Sequence, residues 1–371
     1  MSSPDITQSE IDAVINVLRT STLSIGPQTT AFEETLSGYV GTTHAVAVSS
    51  GTSGLHLAMV AAGITEGDEV ITPSFSFVAS ANCILYERGK PVFVDIDLRT
   101  GNLDPALIEP AITARTKAII IVDAFGQPAV REPIVELARK HNLKLIEDTC
   151  ESLGAEYNGR RVGTFGDAAV FAFYPNKQMT TGEGGILVTN NTEWANLFRS
   201  LRNQGRDVFD AWLNHTRLGF NYRLDEMSAA LGLAQMRRID ELLAKRAKVA
   251  NWYNERIDEI AGVSKPYIAE TTTRMSWFVY VIRCMDGVSR NDLMIYLEQQ
   301  GIPSRPYFTP IHLQPFYRER FGYQRGELPN TEKAGDTFLA LPFSSIMSEE
   351  QVDYVCQNLQ AGVQKLHQRV S

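Results

Sequence analysis

Three short segments of this 371-residue chain carry residues whose types and spacing could do chemistry. The first is Ser49-Ser50-Gly51-Thr52-Ser53-Gly54, between an apolar run and a helical pattern over Leu55–Ala62. Small residues there let the backbone close on a ligand, and the free N–H groups of a helix start favour an anion such as phosphate. The same spelling also makes an ordinary capped turn. The second is Asp148, directly after the apolar run Leu143–Glu147 and followed by Glu151. A carboxylate at the C-terminal edge of a parallel sheet faces the crevice where ligands bind and could pair with a protonated ring nitrogen; alternatively it caps the next turn. The third is Lys177, held between the aromatic run Phe171–Tyr174 and the turn residues Gly182, Gly184 and Gly185. A lysine amine partly stripped of water there becomes a nucleophile for a carbonyl carbon, although the glycines alone would also fit a plain tight turn.

Elements that could position these groups are visible in the hydrophobic pattern. Seven β-branched or apolar runs, Ala45–Ser49, Glu69–Thr72, Pro91–Ile96, Ala118–Asp123, Leu143–Glu147, Ala168–Phe173 and Gly185–Thr189, alternate with helical stretches such as Glu132–His141. Several are apolar throughout, as in strands covered on both faces, and the rhythm is that of a mostly parallel seven-stranded α/β sheet. Leu224–Ile260 keeps helical spacing for longer than one ordinary helix and predicts two consecutive or kinked helices bridging domains. A strand over Trp277–Arg283, a helix near Arg290–Gln300, a Pro-rich stretch from Pro303 to Pro315 and a last helix near Glu349–Lys365 predict a small α+β unit. The expected division is a large α/β domain over 1–240 and a small C-terminal α+β domain over 241–371.

Composition narrows the classes. With 44% hydrophobic and 21% charged residues, the chain reads as an ordinary globular enzyme or binding protein. Lys and Arg number 35 against 43 Asp and Glu, a net charge of −8, so no basic field exists to attract a nucleic-acid backbone. The opening MSSPDITQSEIDAV lacks a basic segment followed by an apolar one, and no run approaches a membrane span, so the expectation is a cytoplasmic protein without a membrane partner. Cys83, Cys150, Cys284 and Cys356 are scattered without CxxC or zinc spacing, which predicts reduced, mostly buried thiols and no metal site. Neither GxxxxGK[ST] nor GxGxxG occurs, which leaves a Rossmann-type redox enzyme unsupported.

In this order on one sheet, a phosphate cradle, a ring-nitrogen carboxylate and a Schiff-base lysine are the three attachments that pyridoxal 5′-phosphate (PLP) needs. The chain also resembles, over nearly its whole length, the DegT/DnrJ/StrS family of PLP-dependent sugar aminotransferases. The resemblance is carried by Ser24-Ile-Gly-Pro, HAVAVSSGTSGLHLAM, DEVITPSFSFVASAN, PVFVDID, EDTCESLGA, GTFGDAAVFAFYPNKQMTTGEGG, GFNYRLDEMSAALGLAQ and PIHLQPFY. It implies the type I, aspartate-aminotransferase fold. Lys177 takes the Schiff-base position and Asp148 that of the pyridine-nitrogen partner. Gly51 and Thr52 match the phosphate turn, Phe77 the aromatic stacked on the ring, and Glu151 the residue beside the ring oxygen. Asn221 matches an asparagine reaching the phosphate from the neighbouring subunit, which implies a homodimer with sites at its interface.

One position departs from the family pattern. Many members carry a phosphate-binding Ser five residues before the lysine, where this chain has Ala172; Ser50, Ser53 or a water would have to replace that contact. Retention of Lys177, where the family's dehydratases have His, implies transamination. The implied partners are L-glutamate as amino donor and a nucleotide-linked keto-deoxy sugar, with the EDTCESLGA wording closer to 4-keto than to 3-keto enzymes. Arg305, Tyr307 and His312 are expected to line the sugar-nucleotide site, Arg305 suiting a diphosphate. A PLP-binding regulator or sensor without turnover stays open beside the enzyme reading.

Overall fold

The computed structural model describes residues 2–206 and 214–370. All seven predicted runs form strands of one sheet: β1 (His44–Val48), β2 (Glu69–Pro73), β3 (Lys90–Val94), β4 (Thr116–Val122), β5 (Lys144–Asp148), β6 (Ala168–Ala172) and β7 (Gly185–Thr189). Their spatial order is β1-β7-β6-β5-β4-β2-β3. The pairs from β3 through β6 are parallel, while β7 runs antiparallel to both β6 and β1. Both faces are covered, and the two-residue period of β4 shows how: Ile120 and Val122 enter one core while Ile119 and Ile121 enter another.

Helices α1 (Gln8–Leu18) and α2 (Pro27–Val40) precede the sheet. Then α3 (Gly51–Ala61), α4 (Ala79–Tyr86), α5 (Glu132–Lys140) and α6 (Thr192–Arg202) alternate with its strands. The long helical pattern resolves into α7 (Glu226–Met236) and α8 (Ile239–Ile257), with Asp225 capping the first through Ser228 N. Helix α8 belongs to two cores. Ile239, Leu242 and Leu243 pack with β1, β6 and β7, whereas Val249, Ala250, Tyr253 and Ile257 pack with the C-terminal residues.

Those C-terminal residues form a four-stranded antiparallel sheet in the order Val263–Ser264, Tyr280–Cys284, Phe338–Leu341, Arg305–Pro306, backed by α9 (Arg290–Gln299) and the terminal helix Glu349–Val370. The second strand begins at Tyr280 rather than Trp277. The residues before it bond elsewhere: Ser276 N donates to the Gly126 carbonyl and Phe278 N to that of Phe125, tying this segment to the loop after β4. The four cysteines are free thiols, three of them buried and Cys150 half-buried.

Candidate active site

The C-terminal ends of β1, β4, β5 and β6 bring their following loops to one edge of the sheet, the edge at which doubly wound sheets place ligands. At β1 the chain turns into α3 through Ser50, whose hydroxyl accepts from Ser53 N at 3.0 Å. The N–H groups of Gly51 and Thr52, in the first turn, have no intrahelical partner. The turn is tight against its neighbours. A Cβ on Gly51 would fall 2.7 Å from the Ala172 methyl and 3.0 Å from Cys150 Sγ, and one on Gly185 would strike the Ser50 backbone at 2.5 Å. Ala172, where a hydroxyl was expected, thus lies directly beside the helix start. Ser50 and Ser53 are already bonded to each other at 2.8 Å.

Asp148 ends β5 and is buried. Its Oδ1 accepts from Cys150 N at 3.2 Å, so the turn-capping reading also holds, and its Oδ2 accepts from the Ser80 hydroxyl at 2.7 Å. Burial, reinforced by the Asp148 charge, pushes the Cys83 and Cys150 thiols well up, so neither competes as a proton source. Phe77 lies three residues before Ser80, and its ring is 62% exposed. A core role for Phe77 is therefore ruled out within the chain.

Lys177 follows β6, and its amine lies 3.6 Å from Glu151 Oε1 and 3.9 Å from the centre of the Phe278 ring. Its backbone is pinned by Arg246 of α8. That buried guanidinium donates to the carbonyls of Lys177 (2.6 Å), Asn176 (3.3 Å), Phe278 (3.1 Å) and Trp277 (3.3 Å). It meets four neutral acceptors and no carboxylate, and burial lowers its pKa to about 10. Glu151 is buried, with Oε2 accepting from Phe125 N at 2.9 Å. Its carboxyl is pushed above the usual range by burial, against the opposing pull of the Lys177 ammonium.

The remaining expected residues are placed less uniformly. Tyr307 joins the group: its ring packs near Phe125 and Phe278, and burial with the nearby Glu151 charge pushes its hydroxyl up to about 12. Arg305 is exposed and donates to the Ser304 carbonyl. Asn221 is exposed on a bridge with Asn203, next to Tyr222, whose carbonyl accepts from Ser49 N. His312 departs from the expectation that it lines the substrate site. It is fully buried, Nδ1 bonding to Ser74 Oγ at 2.7 Å and Nε2 to Glu332 at 3.3 Å, so its ring braces the loop from beneath. Sequence reading also missed Ser80 and Arg246. The first carries no local signal; the second is a basic residue on the apolar face of α8, between Leu243 and Val249.

Phe77 also lines an open cleft of about 840 Å³ between α4 and residues 308–320, with Asn82, Tyr86, Gln314, Phe316 and Arg320 among its walls. Ser76, which also lines this cleft, bonds through its hydroxyl to Ser80, the partner of Asp148. Among the described residues no His, Cys, Asp and Glu cluster could hold a metal ion, and no helix is long and apolar enough to cross a membrane.

Comparison with known proteins agrees with this geometry. The profile of the DegT/DnrJ/EryC1/StrS aminotransferase family matches residues 4–360. The chain is 41% identical over 359 residues to the GDP-perosamine synthase of Caulobacter vibrioides, covering 96% of this chain and 95% of that protein. Among solved structures, S. venezuelae DesV in complex with a ketimine intermediate superposes with a TM-score of 0.90 at 33% identity, covering 95% of this chain and 94% of the other. A putative sugar aminotransferase of Streptococcus pneumoniae in its PMP form gives a TM-score of 0.95 at 27% identity, covering 100% and 98%. The fold is the type I fold of PLP aminotransferases. With its sheet edge, carboxylate and lysine arranged as described, the chain belongs to the DegT/DnrJ/EryC1/StrS aminotransferase family.

Proposed function

We propose that the protein moves an amino group from L-glutamate to a nucleotide-linked 4-keto-6-deoxyhexose, with pyridoxal 5′-phosphate as cofactor. The observation that carries this reading is the placing of a buried carboxylate, Asp148, and a covered lysine, Lys177 beside Glu151, at one sheet edge with a helix start. The residues fit the cofactor. Gly51 and Thr52 N–H groups offer donors to a phosphate at the positive end of α3, and the exposed Phe77 ring offers an aromatic face. Asp148 would hold the ring nitrogen protonated, and Glu151 would stand beside the ring oxygen. Asn221 would reach the phosphate across a homodimer interface.

When bound, PLP supplies a carbonyl that accepts the amine and a ring that holds the electrons released at the deprotonated carbon. The protein's own part is to place a base and exclude water. Lys177 carries the proton between carbon centres, its amine confined between Phe278 and Glu151. The Tyr307 ring packs near Phe125 and Phe278 beside this amine. For the sugar, the relatives named GDP-perosamine synthase and the EDTCESLGA segment support a 4-keto acceptor, with GDP the favoured nucleotide.

The test is spectroscopic. Protein loaded with PLP is expected to show a visible band that L-glutamate bleaches and a GDP-linked 4-keto-6-deoxyhexose restores, with an aminated sugar as product. Lys177→Ala is expected to lose the lysine-dependent band and at least about 10²-fold in turnover. Cofactor binding without bleaching by glutamate or related donors would overturn transamination and favour the sensor reading.

A further inference from the structure

The carboxylate of Asp148 has a small and unusual set of partners. Ser80 is fully buried near the start of α4, and its Oγ lies 2.7 Å from Asp148 Oδ2, 2.7 Å from Ser76 Oγ and 3.3 Å from the Phe77 carbonyl. A hydroxyl has one proton to give, and an ionised carboxylate only accepts. With Asp148 charged, Ser80 Oγ must donate to it and accept from the Ser76 hydroxyl, leaving the Phe77 carbonyl to Ser80 N alone. Were Asp148 neutral, its own O–H could donate to Ser80 Oγ, and the Ser80 hydroxyl could turn to the Phe77 carbonyl. The direction of the three-membered chain therefore reports, and is set by, the charge on Asp148.

The remaining neighbours do not supply an alternative. Cys150 N is a single neutral donor to Oδ1. Cys83 Sγ points to the Ser80 carbonyl at 3.4 Å, and the ionisable groups facing this corner are Cys83, Cys150, Glu151 and Lys177. A carboxylate has about four lone-pair sites, so two donors leave about two, enough to accept a further N–H. Ser80 N also donates to the Phe77 carbonyl at 3.2 Å, which ties the carboxylate to the segment bearing the exposed ring.

We infer that Ser80, backed by Ser76, is a positioning residue for Asp148, fixing the orientation of its carboxylate so that a bound pyridine nitrogen retains its proton. The inference rests on the PLP reading above. Without the Ser80 hydrogen bond the carboxylate is no longer held against the ring nitrogen, and the ring gives up part of its positive charge. The lysine-linked cofactor nitrogen, facing a less positive ring, then keeps its own proton to higher pH.

The test uses PLP-loaded wild type, Ser80→Ala, Ser80→Thr and Ser76→Ala. Ser80→Ala is expected to weaken PLP binding about tenfold, as loss of a charge-assisted hydrogen bond does, and to move the midpoint of the visible band's pH titration upward. Ser80→Thr restores both values, and Ser76→Ala gives a smaller shift of the same sign, which keeps the test alive if Ser80→Ala folds poorly. An unchanged midpoint in Ser80→Ala and Ser76→Ala, or the same shift in Ser80→Thr, overturns the role of Ser80. If wild type takes up no PLP, or Asp148→Asn leaves its band unaltered, the cofactor reading itself falls.

Discussion

Glu147 and Asp148 are consecutive residues of one strand and point to opposite faces of the sheet, yet they live in contrasting surroundings. Glu147 accepts from Arg131 at 3.2 Å and from the backbone N–H groups of Gly163, Phe165 and Gly166. Arg131 in turn grips Asp123 with two bonds of 2.6 and 2.8 Å, and Ser152 and Ala129 complete that carboxylate. Burial disfavours the guanidinium charge, but Asp123 and Glu147 outweigh it and hold Arg131 more firmly protonated than usual. On the other face Asp148 has two neutral donors, and the nearby Lys177–Glu151 pair is loose at 3.6 Å. A buried charge with every lone pair taken holds the fold together. One with capacity left over is ready for a ligand.

The largest effect that would separate the two faces is on stability. Arg131→Met leaves two buried carboxylates without their cation and is expected to cost about 3–5 kcal/mol in chemical unfolding of the apoprotein; a loss under about 1 kcal/mol would break the contrast. Asp148→Asn should do the opposite. Its amide oxygen can still accept from Ser80, so unfolding should shift by less than about 1 kcal/mol, while turnover falls about 10²-fold or more. The smallest effect concerns Glu151, whose folded-state carboxyl titrates above its unfolded value because of burial. Its stabilising contribution is therefore present below the unfolded pKa and lost as pH rises through the folded one. Accordingly, Glu151→Gln should make the apoprotein more stable at pH 7.5 than wild type, and the gain should vanish on acidification. A gain that grows toward acid pH would refute this account of Glu151.

Much of this contrast could be read from the chain itself, and the reasons are local. Runs such as Ala118–Val122 are apolar throughout because their strands are covered on both faces, and the observed strands begin and end within a few residues of the predicted runs. Asp148 and Lys177 stand at strand ends, where position alone points to the crevice. The pairing of Ser80 with Asp148 was not legible, since 68 residues separate them and their meeting depends on how α4 packs against α3, β2 and β3. His312 sits in a Pro-rich stretch with no periodicity to say which side chain turns inward, so its burial against Ser74 and Glu332 could not be foreseen. Trp277–Val279 looked like strand and instead bonds to the loop after β4, a long-range competition that the pattern does not encode. Arg246 did leave a trace, as a cation among Leu242, Leu243, Val249, Ala250 and Tyr253.

Helix α8 is a single shaft seated in two bearings. Leu242 and Leu243 lie in one core, Val249 and Ala250 in the other, and Arg246 between them holds the Lys177 and Phe278 carbonyls. Each residue of an α-helix turns the axis by about 100°. Adding or deleting one residue between Leu243 and Val249 would thus rotate one seat out of register with the other, and swing the guanidinium away from the lysine loop. Lengthening a surface connection leaves such geometry alone, but the phase of this helix sets the angle at which the lysine is presented.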